Sequence, residues 1–282
     1  MEGRSIQRIV SLIPGGTEIV CALGFEAQLV GRSHECDFPE SVKRLPVCTE
    51  PKFNPDGTSY QIDQRVKAIL QESLSVYRVY AEKLRQLQPD IIVTQAQCEV
   101  CAVSLQEVER AVCDWLDSRP QIISLAPRTL SDIWADIACV AEALKAPERG
   151  RELLGRLKQR VEAITEKTCT LSERPTVVCI EWIEPLMATG NWMPELIEIA
   201  GGVNLFGETG KHSPQITWEQ LLEKDPDIIL VLPCGFNIQR TREDIPVLMQ
   251  KPGWTDLRAV RKGDRFIWPM GINTLIVQGL VW

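Results

Sequence analysis

The chain has 282 residues, 44% hydrophobic and 24% charged, with 38 Asp and Glu against 31 Lys and Arg for a formal net charge of −7. That balance describes a globular protein with room for one large domain or two of about 100 to 150 residues, and it excludes disorder. The acidic excess leaves no basic footprint for phosphate backbones, so no nucleic-acid partner is expected.

The opening MEGRSIQRIVSLIPGG enters a strand-like run at Arg8 without the roughly 7–15-residue apolar stretch and cleavage site of a secretory leader. As written, the chain is expected to be cytoplasmic; a misassigned start would leave a periplasmic location open. RIVSLI, AQLVGRS, PDIIVTQ and PQIISLA follow as short runs rich in Ile and Val, the pattern of strands buried on both faces. Between them, GGTEIVCALGF, YAEKLRQLQ and SLQEVERAVCDWLDS read as helical or turn-rich segments. This rhythm predicts a doubly wound α/β lobe over 1–129. TLSDIWADIACVAEAL and PERGRELLGRLKQRVEAITEKT then keep helical spacing, broken only near Ala146-Pro147, and predict a helical segment over 130–171 that includes one long exposed helix. The alternation resumes with TVVCIEW, MPELIEIAGG, TWEQLLEKD, DIILVLP and DRFIW, so 172–282 is expected to form a second α/β lobe. The ten cysteines include several in apolar segments, such as Cys139 and Cys179, and are read as reduced, core-filling thiols.

The two lobes share a phrase: EKLRQLQPDIIVTQ in the first and EQLLEKDPDIILVLP in the second. Proline cannot continue the helix, and the C-terminal end of the parallel-type strand after it should open onto a ligand crevice. Two pseudo-equivalent lobes therefore aim equivalent loops at each other. With RIVSLIPGGTEIVCALG, LVGRSHECDFP, LMATGNWMPELIEIAGGVNLFG and TWEQLLEKDPDIILVLPCG, the chain resembles the class III periplasmic-binding protein family, in its cobalamin-binding branch, from about Arg8 to Ile267. The resemblance implies two Rossmann-like lobes joined by a single long helix, with the ligand cleft between them. It also implies a non-catalytic protein that hands its ligand to an ABC importer permease, and it places permease-docking glutamates at Glu82 and Glu219. The alternative for these two is a plain helix-N-terminal acid favoured by the helix dipole, worth about 0.3–1 kcal/mol.

Loops expected on the cleft bring together Gly15, His34, Cys36, Phe38, Gln95 and Gln97 from the first lobe, with a further loop at Asp56-Gly57-Thr58. The second lobe adds Met187, Trp192, His212, Ser213 and Phe236. Aromatic and apolar surface mixed with amides suits a large amide-bearing ligand, and a corrinoid, most simply cobalamin, fits; in the resembled branch the positions of Gly15, His34, Gln95, Met187 and Ser213 line the pocket. Trp182 is expected in the core, with Trp192 as the tryptophan that meets ligand. Both histidines fall on these loops, and a neutral imidazole can ligate cobalt. His34 and Cys36, with Cys98 and Cys101 of the CxxC, could instead hold a metal ion tetrahedrally. Haem or a ferric siderophore is a further binding alternative, and a thiol redox enzyme using Cys98 and Cys101 is the alternative of another class. The bland reading is that these thiols pack or line the wall. No nucleophile elbow, P-loop or dinucleotide motif appears, so no catalytic residue and no catalytic cofactor is expected; cobalamin enters as bound ligand.

The last fifteen residues, WPMGINTLIVQGLVW, carry no charge, yet the run is shorter than the roughly 20 apolar residues of a membrane span, and no membrane-spanning segment is expected. The resembled family would continue with a sequence like ADGNQYFNRPGPRLV. Codons for WPMGINTLIVQGLVW can be chosen so that reading from the third base of the first one gives the first fourteen residues of that sequence, and the fifteenth with two bases of a following stop codon. Third bases are free at most positions, but the other two bases of each shifted codon are largely fixed. A frameshift near 267–268 is therefore expected, with Trp268–Trp282 out of frame; the alternative is a natural short tail packing as an edge strand.

Overall fold

The computed structural model describes residues 7–72, 75–96, 105–112 and 119–261. The first lobe runs β1 (Ile9–Ser11), α1 (Pro14–Ala22), β2 (Leu29–Arg32), β3 (Thr49–Pro51), α2 (Ser59–Gln71), β4 (Tyr77–Val79), α3 (Ala81–Leu87), β5 (Ile91–Gln95), α4 (Leu105–Val112) and β6 (Gln121–Leu125). Then come α5 (Leu130–Ala143) and α6 (Pro147–Thr168). The second lobe runs β7 (Thr176–Trp182), β8 (Met187–Ala188), α7 (Met193–Ile199), β9 (Val203–Asn204), α8 (Trp218–Lys224), β10 (Ile228–Val231), α9 (Ile238–Asp244), α10 (Pro246–Met249) and α11 (Arg258–Arg261).

The four apolar runs of the first lobe form one parallel sheet in the order β2-β1-β5-β6. Every residue of β1 and β5 is buried, the burial that an unbroken Ile/Val run requires. The sequence did not suggest β3 and β4, which pair antiparallel beside this sheet; three residues each are too few for a visible alternation. In the second lobe β7 and β10 are parallel, while β8 and β9 border β7.

Helix starts follow local chemistry. Pro14 opens α1 at its first turn, where a missing N–H costs nothing. Thr58, Thr129 and Thr217 each close a capping box, with Gln61, Asp132 and Gln220 respectively, satisfying otherwise orphaned N–H groups. A Cβ on Gly16 would lie 2.7 Å from Val93 Cγ1, so only glycine lets α1 sit this close to β5.

Helix α6 has 22 residues, about 33 Å at 1.5 Å per residue, and buries only Gly150, Leu153 and Leu157. At its start Arg149 donates to the carbonyls of Leu23 and Gly24 and lies over the Phe25 ring. At its end Thr168 Oγ1 donates to Ile199 O at 2.8 Å. It therefore ties the lobes together. Beneath it one apolar cluster runs from Ile9 and Ile91 through Ile137 and Leu157 to Val177, Ile197 and Leu232. Sliding the lobes along this side would expose that core, so the joint on the α6 side is stiff.

Candidate functional site

The strands of both lobes end at the cleft. In the first lobe, Arg32 shapes the wall: its guanidinium donates to the carbonyls of Ser33, Cys36 and Lys43, fixing the loop that carries His34. The His34 backbone N–H donates to Thr49 Oγ1 at 3.1 Å, and its Nδ1 lies 2.8 Å from the same oxygen. The Tyr77 ring packs 5.3 Å away, centroid to centroid. Burial, and then the neighbouring Arg32 charge, push the imidazole down to about 4, so it is neutral at neutral pH. With Nδ1 engaged, coordination of a metal falls to Nε2. Gly15 and Gln95 are buried, at the start of α1 and the end of β5.

In the second lobe Glu181 and Trp182 end β7. Glu181 accepts from the Ser213 hydroxyl, which in turn accepts from the Gly190 N–H at 3.1 Å. Trp182 meets Phe236 edge to face at 5.3 Å, a favoured aromatic geometry. The Arg240 guanidinium lies over the Phe236 ring, 4.3 Å from its centroid. Arg240 also reaches the first lobe, donating to the carbonyls of Pro55 and Gly57, and the Asp244 carboxylate accepts from the Ser59 N–H at 3.1 Å. A cavity of about 590 Å³ lies here, lined by Asp56, Gln61, Asn237, Arg240, Glu243 and Asp244 among others.

Two α/β lobes, a tying helix and strand ends facing a common crevice are a recognisable architecture. The model of the family described as "Periplasmic binding protein" matches residues 9–270. The chain belongs to that family. Among relatives of this family member, the vitamin B12-binding protein of Vibrio campbellii is 24% identical over 263 residues, covering 88% of this chain and 80% of the relative. The vitamin B12-binding protein of Vibrio cholerae is 25% identical over 232 residues, covering 79% and 69%. Solved structures with the same fold include a periplasmic haem-binding protein from Roseiflexus sp. RS-1, with TM-score 0.69, 22% identity and 98% and 97% coverage. The periplasmic vitamin B12-binding protein of Vibrio cholerae gives TM-score 0.66 at 20% identity, covering 98% and 93%.

Against this periplasmic-binding-protein frame the expected residues sort clearly. His34, Gln95, Met187 and Ser213 lie at strand ends or on the loops beside them. The Asp56-Gly57-Thr58 loop reaches the second lobe through Arg240. Phe38 is exposed and His212 is exposed, its Nδ1 3.0 Å from Ser213 O. Phe236 is only 4% exposed, because Trp182 and Arg240 cover it.

Two expectations are corrected. Cys36 is 0% exposed; Thr17 Oγ1 donates to its thiol at 3.0 Å and Ser33 Oγ lies 3.3 Å away. Burial pushes that thiol up to about 11; Cys36 is a fully buried thiol and not part of the exposed cleft surface. Trp192, read as the cleft tryptophan, is 6% exposed and packs in the core that joins the lobes, while Trp182 is half-buried against Phe236. Their burial differs because strand β7 ends with Trp182 at its C-terminal edge, whereas Trp192 is the N-cap of α7.

Gln97, Cys98, Cys101 and Trp268–Trp282 lie outside the described residues. Among the described residues no group of three or more His, Cys, Asp or Glu gathers to hold a metal ion, and no helix is long and apolar enough to cross a membrane. Sequence reasoning missed Glu181, Arg240 and Asp244. A charge in the apolar strand TVVCIEW was a signal for Glu181; Arg240 and Asp244 sit in a charged run, IQRTRED, that reads as a solvated face.

Glu82 and Glu219 are exposed in the first turns of α3 and α8. The Glu219 carboxylate is held below its usual range, chiefly by its own backbone N–H and then by the Thr217 hydroxyl.

Proposed function

We propose that this chain is the substrate-binding component of an ABC import system and that its ligand is a corrinoid, cobalamin, held without chemical change between the lobes. The observation that carries the reading is the chemistry of the cleft. A part-buried imidazole kept neutral by its surroundings stands on one wall; an aromatic pair and a carboxylate–hydroxyl acceptor pair stand on the other. Neutral imidazole suits cobalt, the aromatic pair suits the ring, and carboxylate and hydroxyl acceptors suit its amide N–H groups. The vitamin B12-binding relatives support the same ligand.

Haem is the second reading, favoured by the haem-binding neighbours in fold and by the same imidazole. Haem carries carboxylates that call for cations, whereas the end of β7 presents the Glu181 carboxylate, which favours the amide-bearing ligand. Titration of the protein with hydroxocobalamin and, separately, with hemin separates the two. Tight binding of hydroxocobalamin with a perturbed visible band is expected; preference for hemin would overturn the corrinoid reading.

Glu82 and Glu219 are the proposed contacts to the permease, because two exposed first-turn carboxylates on matching helices offer a basic partner two fixed points. The proposed location is the one the family name gives, outside the cytoplasmic membrane, and lobes over 1–129 and 172–282 flank the helical segment 130–171. The second-frame reading of Trp268–Trp282 is tested by resequencing: a nucleotide string that cannot encode DGNQYFNRPGPR in any frame would refute it.

A further inference from the structure

The lobes meet at two places of different character. On the α6 side they share an apolar core. On the cleft side they meet through polar groups on α9. Arg240 and Asp244 stand one turn apart on that helix, at i and i+4, and so share a face. Arg240 donates to the carbonyls of Pro55 and Gly57. Asp244 accepts from the N–H of Ser59, the first residue of α2, at 3.1 Å. A carboxylate at a helix N-terminus makes a charge-assisted bond to an otherwise free donor, and this one is shielded from water: Asp244 is 5% and Ser59 0% exposed. The receiving loop is braced from its own lobe by Arg65, which donates to the carbonyls of Asn54 and Asp56.

The same Arg240 roofs the aromatic pair, 4.3 Å above Phe236, whose other neighbour is Trp182. A ring-bearing ligand therefore finds its aromatic partner covered by the side chain that bridges the lobes. Opening this contact exchanges hydrogen bonds for water, whereas opening the α6 side would expose apolar core, so movement is cheapest at α9.

We propose that α9 is a strap across the mouth of the cleft, with Arg240 and Asp244 fastening it to Pro55–Ser59, and that its release governs how fast a flat, ring-bearing ligand enters and leaves. Its rate consequence rests on the ligand reading above, whereas the fastening does not. The test uses the full chain with Arg240→Ala and Asp244→Ala, folding being checked by circular dichroism. In the free protein, amide exchange at Ser59 is expected to speed up in both variants. In stopped-flow mixing with hydroxocobalamin, association and dissociation rates are both expected to rise, by at least about threefold if opening limits both steps.

Unchanged Ser59 exchange overturns the strap. Faster exchange with unchanged rates overturns its gating role. Should Asp244→Ala fail to fold, Arg240→Ala, on a partly exposed side chain, carries the test alone. Should the unaltered protein not bind hydroxocobalamin, the corrinoid reading fails while Ser59 exchange still decides the fastening, and the rates are read with hemin.

Discussion

The two lobes build the same corner from the same phrase and brace it differently. In the first, α3 buries Leu84, turns through Gln88 at φ 41°, and Pro89-Asp90 leads into β5. In the second, α8 buries Leu221, turns through Asp225 at φ 41°, and Pro226-Asp227 leads into β10. Asp90 exchanges bonds with the backbone of Arg8: its N–H donates to Arg8 O, and its carboxylate accepts the Arg8 N–H, each at 2.8 Å. Asp227 does the same with Thr176, both bonds at 3.0 Å.

The difference lies in what surrounds that exchange. Asp227 also accepts from Thr176 Oγ1 and pairs with Arg258, which binds Asp225 as well. Helix α8 has a capping box, whereas α3 starts after Tyr80 with no side-chain cap. An arginine reaches the helix end in each lobe, Arg8 from before the phrase and Arg258 from after it. The corner's geometry is thus set by the helix–Pro-Asp–strand phrase, and its strength by residues distant in sequence.

The largest test of this equivalence removes the buried leucines. Leu84→Ala and Leu221→Ala, both at positions 0% exposed, should each cost about 2–5 kcal/mol by urea denaturation, since each leaves a cavity; a loss in one lobe alone would break the equivalence. Next come the aspartates: Asp227→Ala should cost about 2–3 kcal/mol and Asp90→Ala about 1, because only the former also removes an ion-pair contact of Arg258 and the acceptor of the Thr176 hydroxyl. Equal costs would show that Arg258 adds nothing.

The two histidines carry the comparison to the ligand. His34→Ala should weaken hydroxocobalamin binding by at least about 1 kcal/mol, the scale of one lost polar contact, whereas His212→Ala, on an exposed loop, should do less. Equal losses would make the walls equivalent. Because burial lowers the His34 pKa to about 4, the unfolded chain binds that proton first. Stability should therefore fall as pH drops from about 6.5 towards 4, and His34→Gln should flatten that part of the denaturation profile. The smallest stability effect, about 1 kcal/mol, is expected for Thr217→Ala, which removes the cap of α8. Finally, Glu82→Ala and Glu219→Ala should leave ligand affinity unchanged while lowering transfer in vesicles reconstituted with a permease.

The sequence by itself determined the α/β class, the four parallel strands of the first lobe, the long polar helix and the repeated corner. Each depends on local chemistry: unbroken Ile/Val runs that fit burial on both faces, helical spacing, and proline after a helix. It also pointed to the loop that carries His34, which follows β2 of the parallel sheet; the Asp56-Gly57-Thr58 loop instead follows β3 of the antiparallel β3–β4 pair. Only the tertiary structure decided which tryptophan is buried, because Trp182 and Trp192 are ten residues apart and their burial depends on which element packs over each. It also moved Cys36 into the core and brought Arg240 and Asp244 to Pro55–Ser59, a meeting of residues 183 and 185 positions apart. No local pattern records such a meeting: a charged helix turn looks the same in sequence whether it faces water or another lobe, and the difference arises only when the chain has folded back on itself.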